Sequence, residues 1–369
     1  MPLLKVRFNR WSHLFLPLSV LVILLLINLI KGVDYFRITM VNGVFYGNIP
    51  NILFGAAELV ILSIGMTLVT AAACGQDISI GESGAISSAI FVQYVLNAGE
   101  VTIWTILAGF LISCVAGTLI GAFNGTLVSY FNVQPMVATL ILFLGGRSIA
   151  FIIDGKVSPI LANPISNQIG TFIPGVPIQT PIILTVVFIV LVAVVLKTTK
   201  LRLYVQAVGV NPSAARLNGI NPKKIIFLTF LIMGVCSAVA GFLAVNKAGR
   251  HDSVNLLKFI MMDAILAVAL GGNSLAGGKF SITGSIIGAY TIEVLNRTLL
   301  RLEVNPEAIK AFKAVFIIIL MVIASPVVRA FARKLLDKAK TIVAGDSVRQ
   351  TGALDEAVVS MTDSSGKEE

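Results

Sequence analysis

Between Leu14 and Ile323 the sequence returns repeatedly to apolar runs of spanning length, each closed by glycine, proline or charge. About 20 such residues in a helix cross roughly 30 Å of hydrocarbon. Lipid offers the backbone no hydrogen-bond partner, so segments that cross it here are expected to be helices. Apolar residues fill 56% of the 369 positions and charged residues 12%, too lopsided for a chain that mostly faces water. The expected fold class is all-α: a polytopic transmembrane helical bundle of about ten spans, with N- and C-termini both cytoplasmic.

The net charge of +10 does not point to nucleic acid. Lysine and arginine gather at the ends of the apolar runs, without an aromatic-interleaved basic face, which is the distribution of cytoplasmic anchoring. The three cysteines, Cys74, Cys114 and Cys236, lie in or beside apolar segments with no CxxC and no histidine cluster. They read as core fillers, neither disulfide partners nor metal ligands.

Taken in order, Lys5, Arg7 and Arg10 precede a first span, Leu14 to Ile30, expected to be retained with its N-terminus inside. Residues 31–50 are then external, and Asn51 to Ala73 is the second span. Its Glu58 would cost about 2.5–3.5 kcal/mol facing lipid, so it should face protein or water. The stretch Cys74 to Gly84, CGQDISIGESG, admits two readings. It is a cytoplasmic turn in which Asp77 and Ser79 cap the next helix, or a helix break lining a pathway. Ile86 to Leu96 completes the third span and Ile103 to Phe123 forms the fourth, where Gly117, Gly121 and Gly125 put small residues on one packing face. The fifth span, Met136 to Ile153, contains Arg147, with Asp154 seven positions on as its expected partner.

Asp154 to Pro181 is the longest external connection, either a docking surface or a passive loop. Spans follow at Ile182 to Leu196 and at Ile225 to Val245, the latter with a small-residue face of Gly234, Ser237, Ala238, Ala240 and Gly241. An external link carries Lys247, Arg250 and His251, with no partner for the histidine evident from sequence. The eighth span, Phe259 to Leu270, carries Asp263. The glycine-rich turn Gly271 to Gly284 fails the Walker A pattern because Lys279 is followed by Phe280. Glu293 and Arg297 sit four apart in the ninth span, Ile282 to Thr298, and can neutralise each other. A tenth span covers Ile309 to Ile323, and a basic run with Arg329 and Arg333 then holds the C-terminus inside. The membrane domain is thus expected over 1–334, with a disordered cytoplasmic tail over 335–369. A faint echo between Ala71 to Ala89 and Ala269 to Ala289 suggests two pseudo-equivalent halves, an arrangement transporters use.

One segment breaks the apolar rule. Leu201 to Pro222 is polar and basic, flanked by Lys197, Lys200, Lys223 and Lys224, and six crossings from an inside N-terminus place it in the cytoplasm. Asn211 or Ser213 can cap a short helix there, Pro212 suits its first turn, and Gly219 can end it. Such a helix is either a docking device or a solvated connector.

Four motifs then carry a family resemblance: GMTLVTAAACGQDISIG, GAFNGTLVSYFNVQPMVATLILFLGGRSIA, AVGVNPSAARLNGI and DAILAVALGGNSLAGGKFSITGSIIGA. In this order they resemble the permeases of sugar-type bacterial ABC importers, the ribose, xylose and galactose group, and QPMVATLILFLGGR is similar to galactofuranose permeases in particular. There are departures. Cys74 and Gln76 stand where the family reads glycine and an apolar residue, and Ser213 stands where many relatives have glutamate.

The resemblance implies a permease subunit in the bacterial cytoplasmic (inner) membrane that moves a monosaccharide and performs no covalent chemistry. It implies three protein partners: a second permease subunit, identical or related; a cytoplasmic ABC ATPase, which alone binds ATP; and a periplasmic or extracellular substrate-binding protein. No cofactor is expected in this chain. The resemblance assigns ATPase coupling to Asn211, Ser213, Ala214, Ala215, Arg216 and Gly219. Polar residues at helix breaks, Asp77, Asn124, Gln134, Arg147, Asp263 and Asn273, are the candidates for the translocation pathway, or else bonds that hold the bundle together. The competing functions are a nucleoside or branched-chain amino-acid ABC permease, and an ion-coupled secondary transporter using the membrane acids as a relay.

Overall fold

A computed structural model describes residues 15–41, 43–305, 308–309 and 311–315. Residues 311–315 are helical and belong to a second contact unit; all else below concerns the first. Lys5, Arg7 and Arg10, the larger part of the tenth span, Arg329, Arg333 and the tail lie outside the described residues.

The described residues are mostly helical. Helix α1 is Phe15–Lys31; after a 3-10 turn at Val33–Phe36, strands β1 (Thr39–Val41) and β2 (Val44–Tyr46) pair antiparallel. Then follow α2 (Asn48–Gly55), α3 (Ala57–Ala73), α4 (Ile80–Asn97), α5 (Ile103–Ser129), α6 (Pro135–Ile153) and the short α7 (Pro164–Gly170). The remainder is α8 (Thr180–Thr198), α9 (Leu201–Val210), α10 (Pro212–Leu217), α11 (Pro222–Ala248), α12 (Ile260–Leu270) and α13 (Ile282–Arg301).

Helices α5, α6, α8 and α11 are each long and apolar enough to cross a membrane, and α2 with α3, bent by 43° at their break, are so as a pair. The expected second span is therefore two helices joined at a bend. Beside the bend Gly55 lies against α13, where a side chain would collide with Glu293, the acid paired with Arg297. Helix α4 begins at Ile80, six residues earlier than the hydropathy suggests, since Glu82, Ser83 and Ser87 are all buried and keep the polar first turn out of lipid. Helix α12, with 11 residues, is short because the preceding turn, 252–259, folds against the first turns of α4.

Helix α3 is buried over all but its last residue, and α11 is the most buried of the four long apolar helices. Of the apolar stretch of α11, 56% is buried, against 28%, 22% and 22% for α5, α6 and α8, whose leucines, isoleucines and valines point outward. The two small-residue faces expected from the sequence meet each other: Cβ atoms at Gly117 and Gly234 would each collide with the other's carbonyl, and one at Gly121 with that of Phe230. A Cβ at Gly241 of α11 would collide with the carbonyl of Gly84 of α4, and Gly65 of α3 lies against Met233 and Cys236. Membrane helices associate through such close backbone approach, because burying leucine against leucine gains little over burying it in lipid.

Cys74 corrects the core-filler reading. It is exposed, at the left-handed C-terminal cap of α3 with φ of 54°, while Cys114 is half-buried and Cys236 fully buried. The two glycine-rich turns that echo each other in sequence are in contact: Gly278 N donates to Ala71 O at 3.0 Å, and Gln76 Nε2 to Leu275 O at 3.3 Å.

Overpacking at the α5–α11 contact should be severe. Gly234→Leu is expected to lower stability by more than the ~1–3 kcal/mol typical of an added core methylene group. Gly145→Leu, where nothing lies within 4 Å of a Cβ, should be neutral. Size-exclusion recovery after heating in detergent reads both.

Candidate functional site

The ends of the bundle differ. One carries the basic segment together with the α3–α4 break, the α5–α6 link and the glycine-rich turn before α13. The other carries the β-hairpin, α7 and the turn after α11.

At the basic end, Asn211 caps α10: its Oδ1 accepts from Ala214 N at 3.0 Å, Pro212 occupies the first turn, and Gly219, at φ 79°, ends the helix. The preceding α9 is amphipathic. Leu201, Val205 and Val208 are buried, and Leu201 and Val205 cluster with Leu68, Ala71 and Ala72 of α3 and with Phe280. This packing holds α10 away from the bundle surface with Pro212, Ser213, Ala214, Arg216 and Leu217 exposed, Leu217 at 91%. Ala215 is 4% exposed and faces inward, so the small outward surface is that of Ala214. A groove of about 650 Å³ opens beside it, lined by Ser129, Asn132, Ser213, Arg216, Ile220 and Lys223 among others.

Deeper in the bundle, the α3–α4 break gathers polar groups. Asp77 Oδ1 accepts from Ser79 N at 2.8 Å and Ser79 Oγ at 2.7 Å, and Asn124 Nδ2 of α5 donates to Ser79 Oγ at 3.0 Å. The break is thus a buried, cross-linked turn. Asp77 bonds Ser79 without capping α4 by a side-chain bond. One turn on, Glu82 pairs with Arg147 of α6 at 3.1 Å. The same guanidinium donates through Nη1 to the carbonyls of Ser253, Val254 and Leu256, each at 3.1 Å.

Those carbonyls converge because Asp252 shapes their turn. Its Oδ1 accepts from Val254 N at 3.0 Å and Asn255 N at 3.1 Å, and Asn255 Nδ2 donates to Oδ2 at 2.9 Å. Donation from the Asn255 side chain, above all, holds the Asp252 carboxyl below the usual range.

The expected Arg147–Asp154 pair does not form. Asp154 instead accepts from Ser253 Oγ and lies 2.6 Å from His251 Nδ1, with His251 wholly buried and its Nε2 3.0 Å from Ser88 Oγ. The histidine that had no inferable partner therefore has three elements around it, pinning the turn to α4 and to the end of α6. Serine, histidine and aspartate in sequence suggest hydrolysis, but Ser88 Oγ donates to Gly84 O at 2.7 Å and is fully buried. It holds structure.

Of the six pathway candidates, Asp77, Asn124 and Arg147 are brought to this break. Arg147 Nη2, Glu82 Oε2 and Asn124 Oδ1 are buried there without a hydrogen-bond partner among the described residues. Asn273 belongs elsewhere: its Nδ2 donates to Ser285 Oγ at 2.8 Å, and that hydroxyl lies 2.6 Å from Thr67 Oγ1, tying α13 to α3. Gln134 is exposed at the start of α6, and Asp263 is half-buried on α12. Sequence reasoning missed Glu82 as a site residue, although an acid in a first turn beside a helix break was the signal. Glu58 pairs with Lys247 at 2.9 Å, and Glu293 with Arg297 at 2.8 Å as their spacing requires.

A family profile described as the branched-chain amino acid transport system / permease component matches residues 48–325. A fructose import permease protein of Bifidobacterium longum is 34% identical over 293 residues, 77% of this chain and 79% of that protein. A galactofuranose transporter permease protein of Escherichia coli K12 is 32% identical over 331 residues, 87% and 92% of the two chains. A ribose import permease protein of Haemophilus influenzae is 32% identical over 292 residues, 76% and 87%. No solved structure matches the chain.

Breaking the Glu82–Arg147 pair strands a charge in a membrane interior. Arg147→Met is expected to cost about 3–5 kcal/mol and Glu82→Gln somewhat less, with the double variant recovering part of the loss. A thermal-stability double-mutant cycle in lipid nanodiscs measures the coupling.

Proposed function

The chain belongs to this permease family, within its sugar-importing ABC branch, and from that premise we propose that it carries a monosaccharide across the bacterial inner membrane, driven by a separate ATPase. The similarity to sugar permeases over three quarters or more of the chain carries this reading. The galactofuranose-like motif and the fructose relative both favour a hexose.

In this reading the basic end is cytoplasmic and the hairpin end faces the substrate-binding protein. About ten spans, with both termini inside, satisfy that sidedness. ATP is bound by the ATPase, which docks on α10. The geometry that supports docking is an isolated capped helix with its apolar tip, Leu217, in solvent beside a polar groove. Asn211 and Gly219 fix the two ends of the helix, Ala215 seats it, and Ser213, Ala214 and Arg216 make the contact. Ser213, neutral where many relatives carry an acid, leaves Arg216 to supply the charge.

A second permease subunit, either a copy or a relative, completes the pore. Asp77, Asn124 and Arg147 line the route at the α3–α4 break: Asn124 and Arg147 keep buried polar atoms that the fold leaves unpaired and a passing hydroxylated solute or water satisfies, and Asp77 holds the turn beside them. Asp263 faces the same route from α12. Gln134 and Asn273 hold its cytoplasmic rim.

Two measurements test this. Vesicles holding the permease alone should take up no sugar, and adding the ATPase, the binding protein and ATP should start uptake. Accumulation by this chain alone would sink the ABC reading. Leu217→Asp should leave the thermal midpoint unchanged while weakening ATPase co-purification about 30-fold, the equivalent of losing a ~2 kcal/mol contact.

A further inference from the structure

At the hairpin end a cavity of about 240 Å³ lies between the hairpin, α2 and the loop before α8. Three aromatic side chains line it, Tyr46, Phe54 and Phe172, together with Asn51, Thr171 and Gln179. None of these six carries a charge, so the cavity selects against ions. Its wall is held in place from several sides: Phe45 N donates to Pro177 O at 2.9 Å, and Thr180 closes the loop through its N to Thr171 O at 3.0 Å and its Oγ1 to Gln168 O at 2.7 Å.

Gln179 is the telling residue. It occupies the position preceding α8, yet its side chain makes no capping bond. It is 7% exposed and its Oε1 is buried without a hydrogen-bond partner among the described residues. An amide oxygen left in that state costs free energy that a donor would recover. Apolar ring faces with a few convergent neutral amides form a site for a small neutral molecule with an apolar face and hydroxyl donors.

We propose that this cavity is a monosaccharide subsite on the outer side of the permease, with the sugar ring against Phe172 or Tyr46 and a hydroxyl donating to Gln179 Oε1. It rests on the sugar-permease reading above and adds a position on the permease where the solute stops before it reaches the helix break. The cavity abuts the bent pair α2–α3, since Phe54 also lies 4.2 Å from Lys247 Nζ, which pairs with Glu58 just past the bend. An occupied subsite therefore touches the residues around which α2 and α3 pivot.

Saturation-transfer NMR on the permease in lipid nanodiscs, with D-fructose and D-ribose as probes, reads the site directly. Transfer from aromatic protons to sugar protons is expected. Phe172→Ala and Gln179→Leu should each cut it at least fivefold, with the thermal midpoint checked for both and Asn51→Leu as a third variant. Tyr130→Ala, at the other end, should leave it unchanged. No transfer to either sugar, or transfer equal in wild type and all three cavity variants, overturns the subsite. Parallel uptake by the full complex separates the two levels. Import of a probe sugar without cavity-dependent transfer rejects the subsite alone, whereas import of a nucleoside or a branched-chain amino acid in place of any sugar rejects the sugar reading itself.

Discussion

The contact between the backbones of α5 and α11 is the constraint from which the other packing follows. With Gly117 and Gly234 facing each other's carbonyls, the two helices approach as closely as helices can, and α11 is drawn into the bundle. Once there, its other faces meet α4 at Gly241, α3 at Met233 and Cys236, and α7 at Asn246, which lies against Gly170. A bundle built by burying large side chains against one another would gain little in lipid. This one is built by removing side chains where helices cross, so that dispersion and backbone contact replace the hydrophobic effect.

Charge in a low-dielectric setting imposes the second layer. Three acids inside the bundle, Glu58, Glu82 and Glu293, each have a basic partner: Glu58–Lys247 joins α3 to α11, Glu82–Arg147 joins α4 to α6, and Glu293–Arg297 neutralises charge within α13. Lys247 at the end of α11 holds Glu58 and Phe54 O on either side of the α2–α3 bend. Arg147 joins α6 to α4 and to the turn before α12. Neither link adds much stability relative to an apolar substitute, since desolvation offsets most of the Coulombic gain. Their effect is on geometry: each fixes a bend or a break in an otherwise continuous span.

What the sequence shows follows from this division. Helix positions were legible because hydropathy is local, and so was the cap of α10, where Asn211, Pro212 and Gly219 are neighbours. The need of Glu58 and Arg147 for a polar environment was legible too, because the cost of a charge in lipid depends on that residue alone. Their partners were not. Glu82 stands 65 positions from Arg147 and Lys247 stands 189 from Glu58, and only the rotation of each helix about its axis, set by distant glycine contacts, decides which charges face. Asp154 satisfied every local criterion as Arg147's partner and lost to a histidine that the same turn delivers. The α3–α4 break was legible as polar, and its burial became evident only with α5 and α6 packed over it.

The basic end and the break are mechanically contiguous, and this bears on how an event at the basic end reaches the interior of the bundle. Gly209 of α9 lies against Ala71 O, with no space for a side chain between them, and Cys74 Sγ reaches Gly209 O at 3.5 Å. Gly278 packs beside Val210 while its N–H is bonded to Ala71 O, so the last turn of α3, the end of α9 and the glycine-rich turn form one packed unit. Helix α10 follows α9 directly, with Asn211 ending one and capping the other. Moving α10 toward or away from the bundle therefore either carries the C-terminal end of α3 with it or opens a backbone contact that only glycine permits. Carrying α3 would place the change in direction on residues 75–78, between the Cys74 N–Thr70 O bond that ends α3 and the Ser83 N–Ser79 O bond that opens α4. The left-handed residue Cys74 stands at the point where such a change would begin.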